Sequence, residues 1–235
     1  MFKIKIMHWN CFSLTVPRNS ELKQILIDNK PDIFLLQEIK LDNAKANLRL
    51  RYEGYATYIK VRDTNPDFGS GVAILINEDI PHFLVENFDA SLELIRLTVE
   101  FNRLSVVIMT YYNPPDKTIS DGLFISYINS GKNFLLLGDL NSKSRTLGCK
   151  KTDSNGKILE NILLNSDLVF NDNCSTYNSF SDTGYSEILD LVIGSNSLIG
   201  SISNFTVLEE NLTSDHKIVS IDLSTNGWNS HLFPI

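Results

Sequence analysis

The chain has 235 residues, of which 43% are hydrophobic and 21% are charged, and its formal net charge is −7. This composition is typical of a soluble globular protein with a sizeable core, and no apolar run approaches the length of a membrane-spanning helix. Three widely spaced cysteines, Cys11, Cys149 and Cys174, make neither a disulfide framework nor a zinc-ligand pattern, and they favour a reducing compartment. The first residues alternate between apolar and polar, which predicts a strand and not a signal peptide.

The rest of the chain predicts many strands with a few helices between them. Strands are indicated by alternating or continuous apolar residues, rich in β-branched and aromatic side chains, and helices by a 3.6-residue apolar period. In chain order the predicted elements are a strand at 2–10, a helix at 17–30, a strand at 33–36, a loop or irregular helix at 42–53, strands at 55–61, 71–76, 92–101 and 104–112, a helix at 119–130, a strand from 134, a helix at 156–164, and strands at 188–193, 201–208 and 218–223. They predict an α+β fold of two packed, mostly antiparallel β-sheets flanked by helices. Residues 1–224 are expected to form one domain, and residues 225–235 a tail or boundary.

Residues 133–141, NFLLLGDLN, are the stretch on which the functional prediction is built. Four apolar residues predict a strand buried on both faces, and after Gly138 come Asp139 and Asn141 with one residue between them. Side chains two apart in an extended chain point the same way, so this carboxylate and this amide leave the strand together. The pair suits a metal ion or a water near a substrate; the alternative is that both residues only cap a turn.

Other polar residues also lie at or near predicted strand ends, which predicts a cleft supported by the sheets. They are Asn10, Glu38, Tyr112 and Asp190, with Asp215 and His216 just before the last strand. Each has a structural alternative as a turn cap, a solvated charge or a half-buried aromatic. Asp190 lies within an apolar strand, where a lone carboxylate is costly to bury, so the sequence predicts a partner for it, and His216 is the natural candidate.

The ordered motifs WN (9–10), QE (37–38), TYYNPP (110–115), GDLN (138–141), LD (189–190) and SDH (214–216) resemble those of the exonuclease III-like endonuclease/exonuclease/phosphatase superfamily. This resemblance covers residues 3–223 and implies a four-layered α/β sandwich, a divalent metal ion and phosphodiester hydrolysis. The sequence around TYYNPP and GDLN is similar to the endonuclease domain of non-LTR retrotransposons such as the Jockey-like group. That similarity implies a nuclear enzyme that nicks chromosomal DNA, so that the reverse transcriptase domain of the same polyprotein extends the 3′ hydroxyl.

The resemblance implies a metal site built from oxygen ligands. Glu38 is the first expected ligand, with Asn10 and, from the opposite side, Asp215. Carboxylate and amide oxygens suit Mg²⁺, for which Mn²⁺ is expected to substitute. A metal ion at this place would polarise the phosphoryl group and stabilise the leaving oxygen.

The remaining motif residues are expected to carry the chemistry of the phosphodiester. Asp139 is the candidate general base for the attacking water, and Asn141 is expected to orient the water or the phosphate. His216, held by Asp190, is expected to stabilise the charge that develops on the phosphate. Tyr112, chosen over its neighbour by the family's Tyr-x-Pro spacing, is expected to contact the phosphate or act as an acid. Ser214 is expected to support the site from behind.

DNA is expected to be held through its phosphates by two basic segments in an otherwise acidic chain. The predicted contacts are Lys143, Arg145, Lys150 and Lys151 after the GDLN motif, and Arg49 and Arg51 on the other wall. Residues 173–186, rich in Ser, Thr, Asn and Tyr, are a candidate for reaching into a groove. The alternative is that these segments are ordinary solvated loops.

Two other classes of function stay open at this stage. The same fold acts on other substrates, which here would be abasic-site DNA, a phosphoinositide or sphingomyelin. A membrane partner is not expected, because neither a signal peptide nor an apolar membrane-facing loop is evident. A module that binds nucleic acid or protein without catalysis is the other alternative, and it is disfavoured because every motif side chain is present.

Overall fold

Two six-stranded β-sheets pack face to face, and helices cover their outer faces. The computed structural model describes residues 3–61, 71–86, 91–102, 104–163, 167–170, 173–181, 184–208 and 212–224. Its strands are β1 (Lys3–Asn10), β2 (Ile33–Gln37), β3 (Tyr55–Lys60), β4 (Val72–Asn77), β5 (His82–Leu84), β6 (Glu93–Phe101), β7 (Leu104–Tyr112), β8 (Phe134–Asp139), β9 (Asp167–Phe170), β10 (Tyr177–Asn178), β11 (Ser186–Glu187), β12 (Asp190–Ser195), β13 (Ile202–Leu208) and β14 (Ile218–Ser224). Its helices are α1 (Val16–Asn29), α2 (Asn43–Arg49), α3 (Asp121–Ser130) and α4 (Ser154–Leu163), with 3₁₀ turns at Arg145–Leu147 and Asn196–Leu198.

The strand order explains the layering. One sheet has the order β13-β14-β1-β2-β4-β3 and the other the order β5-β6-β7-β8-β12-β9, while β10 and β11 form a separate hairpin. The central core lies between the sheets and is made of side chains that alternate along their strands, such as Ile4 and Ile6 of β1. The opposite faces pack against α1 and α2 on one sheet and against α3 and α4 on the other. The predicted four-layered α/β sandwich is therefore confirmed.

Strand direction brings the ends of several strands to one edge. β1 and β2 run parallel, as do β7 and β8, so each pair ends at the same side of its sheet. β14 runs antiparallel to β1 and β12 antiparallel to β8, so these two strands begin where their neighbours end. Asp190, the first residue of β12, pairs with Asp139, the last residue of β8. We call this end of the sandwich the active edge; it contains Asn10, Gln37, Tyr112, Asp139 and Asp190.

The differences from the predicted elements are confined to short segments. The region at 42–53 contains a regular helix, α2, which begins after Asp42, whose carboxylate accepts a hydrogen bond from the Lys45 amide at 2.8 Å. Four short strands, β5, β9, β10 and β11, were not predicted. The expected tail at 225–235, the last residue of the helix expected at 156–164, and residues 182–183 of the polar segment lie outside the described residues. Among the described helices, none has the length and apolar composition needed to cross a membrane.

Candidate active site

Asp139 lies at the centre of a buried polar cluster on the active edge. It is 1% exposed, and one of its carboxylate oxygens, Oδ2, accepts a hydrogen bond from Asn10 Nδ2 at 2.9 Å. The other oxygen, Oδ1, accepts from the backbone amide of Asn141 at 2.9 Å. His216 Nε2 lies 3.7 Å from Oδ2. Burial, together with the nearby Asp190 charge, outweighs the attraction of His216 and raises the pKa of Asp139 to about 7.

His216 and Asp190 form the contact expected from the sequence. His216 Nδ1 lies 2.8 Å from Asp190 Oδ2, and both residues are buried. Burial alone would lower the pKa of His216, but the carboxylate of Asp190, helped by those of Asp139 and Asp215, outweighs burial and raises it to about 10. The same contact overcomes the opposing effect of burial and holds the pKa of Asp190 below its ordinary value. His216 therefore carries a proton on Nε2 at neutral pH, and this proton is directed away from Asp190 and towards Asp139.

Asp190 has further neighbours that the sequence did not assign. Thr176, which is buried, accepts the backbone amide of Asp190 at 3.0 Å, and its hydroxyl also bonds the carboxylate and favours its charged form. His8 Nδ1 lies 3.6 Å from Asp190 Oδ1, and burial lowers the pKa of His8. Because His8 is held neutral while His216 is charged, the negative charge of Asp190 is balanced by one imidazolium.

Glu38 lies on the other side of Asn10, at the end of β2. Asn10 Nδ2 donates to Glu38 Oε1 at 3.1 Å, so one amide bridges the carboxylates of Glu38 and Asp139. Lys40 Nζ contacts Glu38 Oε2 at 2.8 Å, and this contact outweighs burial and lowers the pKa of Glu38. The Tyr112 hydroxyl also bonds Glu38, and burial, reinforced by that carboxylate, raises the pKa of Tyr112 far above its ordinary value. Tyr112 is thus a neutral hydrogen-bond donor.

Gln37 ties the two sheets together directly behind the site. Its Nε2 donates to the Tyr111 carbonyl at 2.7 Å and to Thr110 Oγ1 at 3.3 Å, while its Oε1 accepts the Asp139 amide at 2.7 Å. Gln37 is fully buried, so its amide sets the distance between the end of β2 and the end of β8. A Cβ on Gly138 would lie 2.0 Å from the Tyr111 carbonyl oxygen and 2.6 Å from Gln37 Nε2. Only glycine therefore fits before Asp139.

Asn141, Ser214 and Asp215 lie on the loops that complete the active edge. Asn141 has a left-handed backbone, with φ 44, and its Nδ2 donates to the Asn113 carbonyl at 3.1 Å. The Ser214 hydroxyl donates to the Asn10 carbonyl at 2.7 Å and accepts the His216 amide at 3.1 Å. It therefore fastens the loop before β14 to the end of β1. The Asp215 carboxyl has its pKa raised by burial and lies close enough to Glu38 to feel its charge.

The donor set at this edge fits a hard divalent cation. Glu38 and Asp215 offer carboxylate oxygens, and Asp215 Oδ1 is buried without a hydrogen-bond partner among the described residues. Asn10 turns its Nδ2 towards Glu38 and Asp139, while its Oδ1 accepts the Phe12 amide at 3.0 Å and keeps one lone pair for a cation. Among the described residues, no group of three or more His, Cys, Asp or Glu side chains could hold a metal ion by itself. A cation bound here would therefore keep water ligands, as Mg²⁺ does when only one or two carboxylates hold it. Lys40 already contacts one Glu38 oxygen and would share that carboxylate with the cation.

The basic residues that follow Asn141 form a cluster with Tyr185. Lys143 Nζ donates to the Tyr185 hydroxyl at 2.7 Å, and Lys143 and Lys150 lie over its ring, 5.1 and 4.9 Å from the centroid. Tyr185 in turn contacts the Tyr177 ring, which packs edge-on against His216 with centroids 5.0 Å apart. The cluster is therefore continuous with the candidate site.

The two remaining predicted DNA contacts on this loop, Arg145 and Lys151, are exposed. Arg145 Nε donates to the Lys150 carbonyl at 3.3 Å, which leaves the rest of its guanidinium for other partners. Lys151 is exposed. Both lie on the same loop as Lys143.

Arg49 and Arg51, the two residues expected to form a second basic wall, lie in different places. Arg51 lines a surface pocket with Tyr55 and Glu78, at the end of the sheet where β2 begins, whereas Glu38 follows the other end of β2. Arg49 donates to the Leu14 carbonyl at 2.6 Å and holds the loop after β1. The structure places Arg51 away from Glu38, because the chain returns to the far end of the sheet between α2 and β3, and its contact with DNA stays a prediction.

Sequence reasoning missed Gln37, His8, Thr176, Lys40 and Tyr177. Two of them carried a usable signal. His8 stands two residues before Asn10, so alternation places it on the same face of β1, and Gln37 directly precedes Glu38 at a strand end. The contacts of Thr176 and Tyr177 depend on a hairpin whose strands are only two residues long, which no periodicity reveals.

Comparison with known proteins shows that the chain is similar to endonucleases. A family model described as "Endonuclease-reverse transcriptase" matches residues 106–220, slightly less than half of the chain, from β7 to β14. No curated protein sequence matches the chain. The endonuclease domain of TRAS1, a telomere-specific non-LTR retrotransposon, has a similar structure with a TM-score of 0.75 and 18% identity, over 95% of this chain and 99% of that one.

Two DNA-processing enzymes have the same fold. An AP endonuclease from Archaeoglobus fulgidus matches with a TM-score of 0.73 and 18% identity, over 93% of this chain and 98% of that one. The 3′ phosphatase NExo from Neisseria, bound to a product DNA hairpin, matches with a TM-score of 0.70 and 19% identity, over 94% and 99%. The resemblance inferred from the ordered motifs is confirmed by these matches.

Proposed function

We propose that this chain, which has the fold of the exonuclease III-like endonuclease/exonuclease/phosphatase superfamily, is an endonuclease that nicks double-stranded DNA. The observation that carries the proposal is the position of the Asp139 carboxylate between Asn10 Nδ2 at 2.9 Å and His216 Nε2 at 3.7 Å. A base, a positioning amide and a cationic donor thus surround one point at the active edge. That arrangement is suited to in-line attack of water on a phosphodiester.

Asp139 is the general base. Its pKa of about 7 lies near the pH at which the enzyme would work, where a base combines a useful deprotonated fraction with strength. The hydrogen bonds from Asn10 and from the Asn141 amide fix the carboxylate, and each oxygen keeps a lone pair for a water molecule. Asn141 would orient that water or a phosphate oxygen.

His216 and Tyr112 stabilise the phosphate. The imidazolium of His216 donates from Nε2 to a nonbridging oxygen, while Asp190 holds the ring and balances its charge. Tyr112 keeps its proton at any ordinary pH, so it can donate a hydrogen bond to the phosphate or act as an acid. Both groups are buried, which strengthens their effect on charge that develops in the transition state.

A divalent cation held by Glu38, Asn10 and Asp215, Mg²⁺ with Mn²⁺ as a substitute, would polarise the phosphoryl group and stabilise the leaving oxygen. Lys40 and Tyr112 fix the orientation of Glu38 before such an ion binds. Ser214 holds the loop that carries Asp215 against β1.

The proposed substrate is chromosomal DNA, and the proposed product is a nick with a 3′ hydroxyl that primes reverse transcription of a non-LTR retrotransposon in the nucleus. Support comes from the family description and from the match over nearly the whole TRAS1 endonuclease domain. The partner would be the reverse transcriptase domain of the same polyprotein. The cluster of Lys143, Lys150 and Tyr185, which Tyr177 connects to His216, would contact the DNA backbone.

The test is incubation of supercoiled plasmid with Mg²⁺, followed by extension of the nicks with a DNA polymerase. Wild-type protein is expected to produce open circles that are extended, and chelation of the metal is expected to stop the reaction. His216→Ala is expected to abolish nicking. Intact plasmid with wild-type protein, or equal nicking by the variant, would contradict the proposal.

An abasic-site endonuclease is the second candidate, favoured by the similarity to the Archaeoglobus fulgidus AP endonuclease. The two functions differ in whether an intact duplex is cut. Nicking rates on matched duplexes with and without one abasic site separate them. Cleavage restricted to the abasic duplex would replace the proposed function with repair, and a phospholipid substrate in the same assay tests the remaining superfamily alternative.

A further inference from the structure

An aromatic side chain is presented to solvent next to the most buried part of the site. Phe12 follows Asn10 and Cys11, both with 0% exposure, yet 40% of Phe12 is exposed. Phe12 and the next residue, Ser13, have left-handed backbones with φ 44 and φ 81. Residues other than glycine keep such conformations only where their surroundings impose them, which happens most often at functional sites.

The surroundings of Phe12 do impose its position. The Phe12 amide donates to Asn10 Oδ1 at 3.0 Å, and the Ser13 amide donates to the Glu38 carbonyl at 2.7 Å. The next amide, Leu14, donates to the Ile39 carbonyl at 2.9 Å. The loop that exposes Phe12 is thus fastened to Asn10 and Glu38, two of the three residues expected to hold the metal ion.

Two cations flank the exposed ring. Lys40 Nζ lies 4.2 Å from the centroid of the Phe12 ring, and Arg18 Cζ lies 5.3 Å from it. Arg18 also donates to the Thr213 carbonyl at 2.6 Å, which ties the patch to the loop that carries Asp215. All three guanidinium nitrogens of Arg18 donate to oxygens of Phe12, Ser13 and Thr213, so Arg18 supplies a fixed positive charge beside the ring. The part of the Phe12 ring that is exposed thus offers a stacking surface with positive charge next to it, at the rim of an acidic site.

We propose that Phe12, Arg18 and Lys40 form a nucleotide-binding subsite at the rim of the site, in which an unpaired base stacks on Phe12 and its phosphate lies near the two cations. The proposal rests on the proposed function, because it assigns the subsite to the nucleic-acid substrate. Stacking on an aromatic ring is tolerant of base identity, and it requires a base that is free of its own stack. The subsite therefore takes single-stranded or locally unpaired nucleotides next to the scissile bond.

The first experiment uses F12W as a reporter, with chelator present so that nothing is cut. A base stacked on the indole quenches its fluorescence, and the wild-type signal, to which the buried Trp9 contributes, is subtracted. The probes are a single-stranded oligonucleotide of mixed sequence and an abasic sugar-phosphate oligomer of equal length and charge. Quenching by the first probe and not by the second is expected. Equal quenching by both, or none, would overturn the proposal.

The second experiment measures affinity for the same oligonucleotide by fluorescence anisotropy. Phe12→Ala is expected to weaken binding about 5- to 150-fold, the contribution of one stacked base, and F12W is expected to retain wild-type affinity. Phe83→Ala is the matched control, because Phe83 is a phenylalanine of 54% exposure on the edge strand β5. The melting temperature of F12W shows whether a substitution at this position leaves the protein folded. Unchanged affinity in Phe12→Ala would contradict the subsite.

Failure of the subsite and failure of the proposed function are distinguishable. Wild-type protein that nicks plasmid while F12W gives no base-dependent quenching would keep the nuclease and reject the subsite. Base-dependent quenching in F12W with no nicking by the wild type would keep the subsite and reject the nuclease.

Discussion

The charges of single residues in the site alternate along one row of contacts. Asp190, His216 and Asp139 follow one another at 2.8 and 3.7 Å, with the imidazolium between two carboxyl groups. Because the pair with Asp190 is fully buried, each member strongly favours the charged form of the other. The stability of the folded protein should therefore depend on the pH at which His216 loses its proton.

The His216–Asp190 pair is expected to lose its stabilising contribution as pH rises. His216 has a pKa of about 10 in the folded protein and an ordinary value of 6.5, so unfolding releases a proton between these values. The contribution is fully present below pH 6.5 and falls by up to about 1.4 kcal/mol per pH unit as pH approaches 10. Urea unfolding of the wild type and of Asp190→Asn, with chelator at several pH values, measures it. Parallel pH profiles for the two proteins would contradict this reading.

The sequence identified buried charged residues of the site, because a buried charge needs a partner. It did not identify the neutral residues that hold the charged ones in place. Asp190 in an apolar strand required a partner, which identified His216. Gln37 and His8 carry no such requirement in the sequence, because amides and neutral imidazoles occur in many settings. Their importance depends on which strand of the opposite sheet faces them, and that is decided by topology.

At the level of elements, the site depends on how closely the ends of β2, β7 and β8 approach one another. Gly138 allows this approach, since its missing side chain leaves room for the Tyr111 carbonyl and the Gln37 amide. The sequence showed a glycine at the end of an apolar run. It did not show that the glycine is needed because another backbone passes at that point.

Gly138→Ala is expected to lower the free energy of unfolding by about 1–3 kcal/mol or more, because the added Cβ would overlap backbone that cannot move freely. Gly122→Ala is the matched control. Gly122 lies in α3 with nothing within 4 Å of an added Cβ, so alanine there is expected to be neutral or to stabilise by up to about 1 kcal/mol. Urea denaturation of both variants tests the difference. Similar stability losses in the two would show that Gly138 is not sterically required.

The predictability of each element followed its length. Strands and helices with a full apolar period were recognised from the sequence, including β1, β7 and α1. Three-residue β5, four-residue β9 and the two-residue strands β10 and β11 were not, because so few residues establish no period. Pairing with neighbouring strands, not local preference, makes them extended.

At the level of the whole molecule, binding to DNA requires a local basic surface on a chain whose net charge is −7. The structure gathers Lys143 and Lys150 around Tyr185, which Tyr177 connects to His216, and it leaves Arg51 near Glu78 at the far end of a sheet. The sequence indicated both basic segments equally. Only the path of the chain separates them.

Lys150→Ala is expected to weaken duplex binding and to reduce the slope of log affinity against log salt by about 0.9, the value for one phosphate contact. Arg51→Ala removes the same charge elsewhere and is expected to leave affinity and slope unchanged. Fluorescence anisotropy with a labelled duplex and chelator, at several salt concentrations, measures both variants. Equal effects would mean that net charge, not position, governs binding.

The proposed function depends most on one carboxylate, Asp139, which would activate the water that breaks the phosphodiester. The most direct measurement is the rate at which Asp139→Asn converts supercoiled plasmid to open circles with Mg²⁺, compared with wild type at equal thermal stability. We expect a rate lower by about 10²- to 10⁴-fold, since asparagine keeps the shape of the side chain and cannot act as the base. A variant that nicks at the wild-type rate would contradict it.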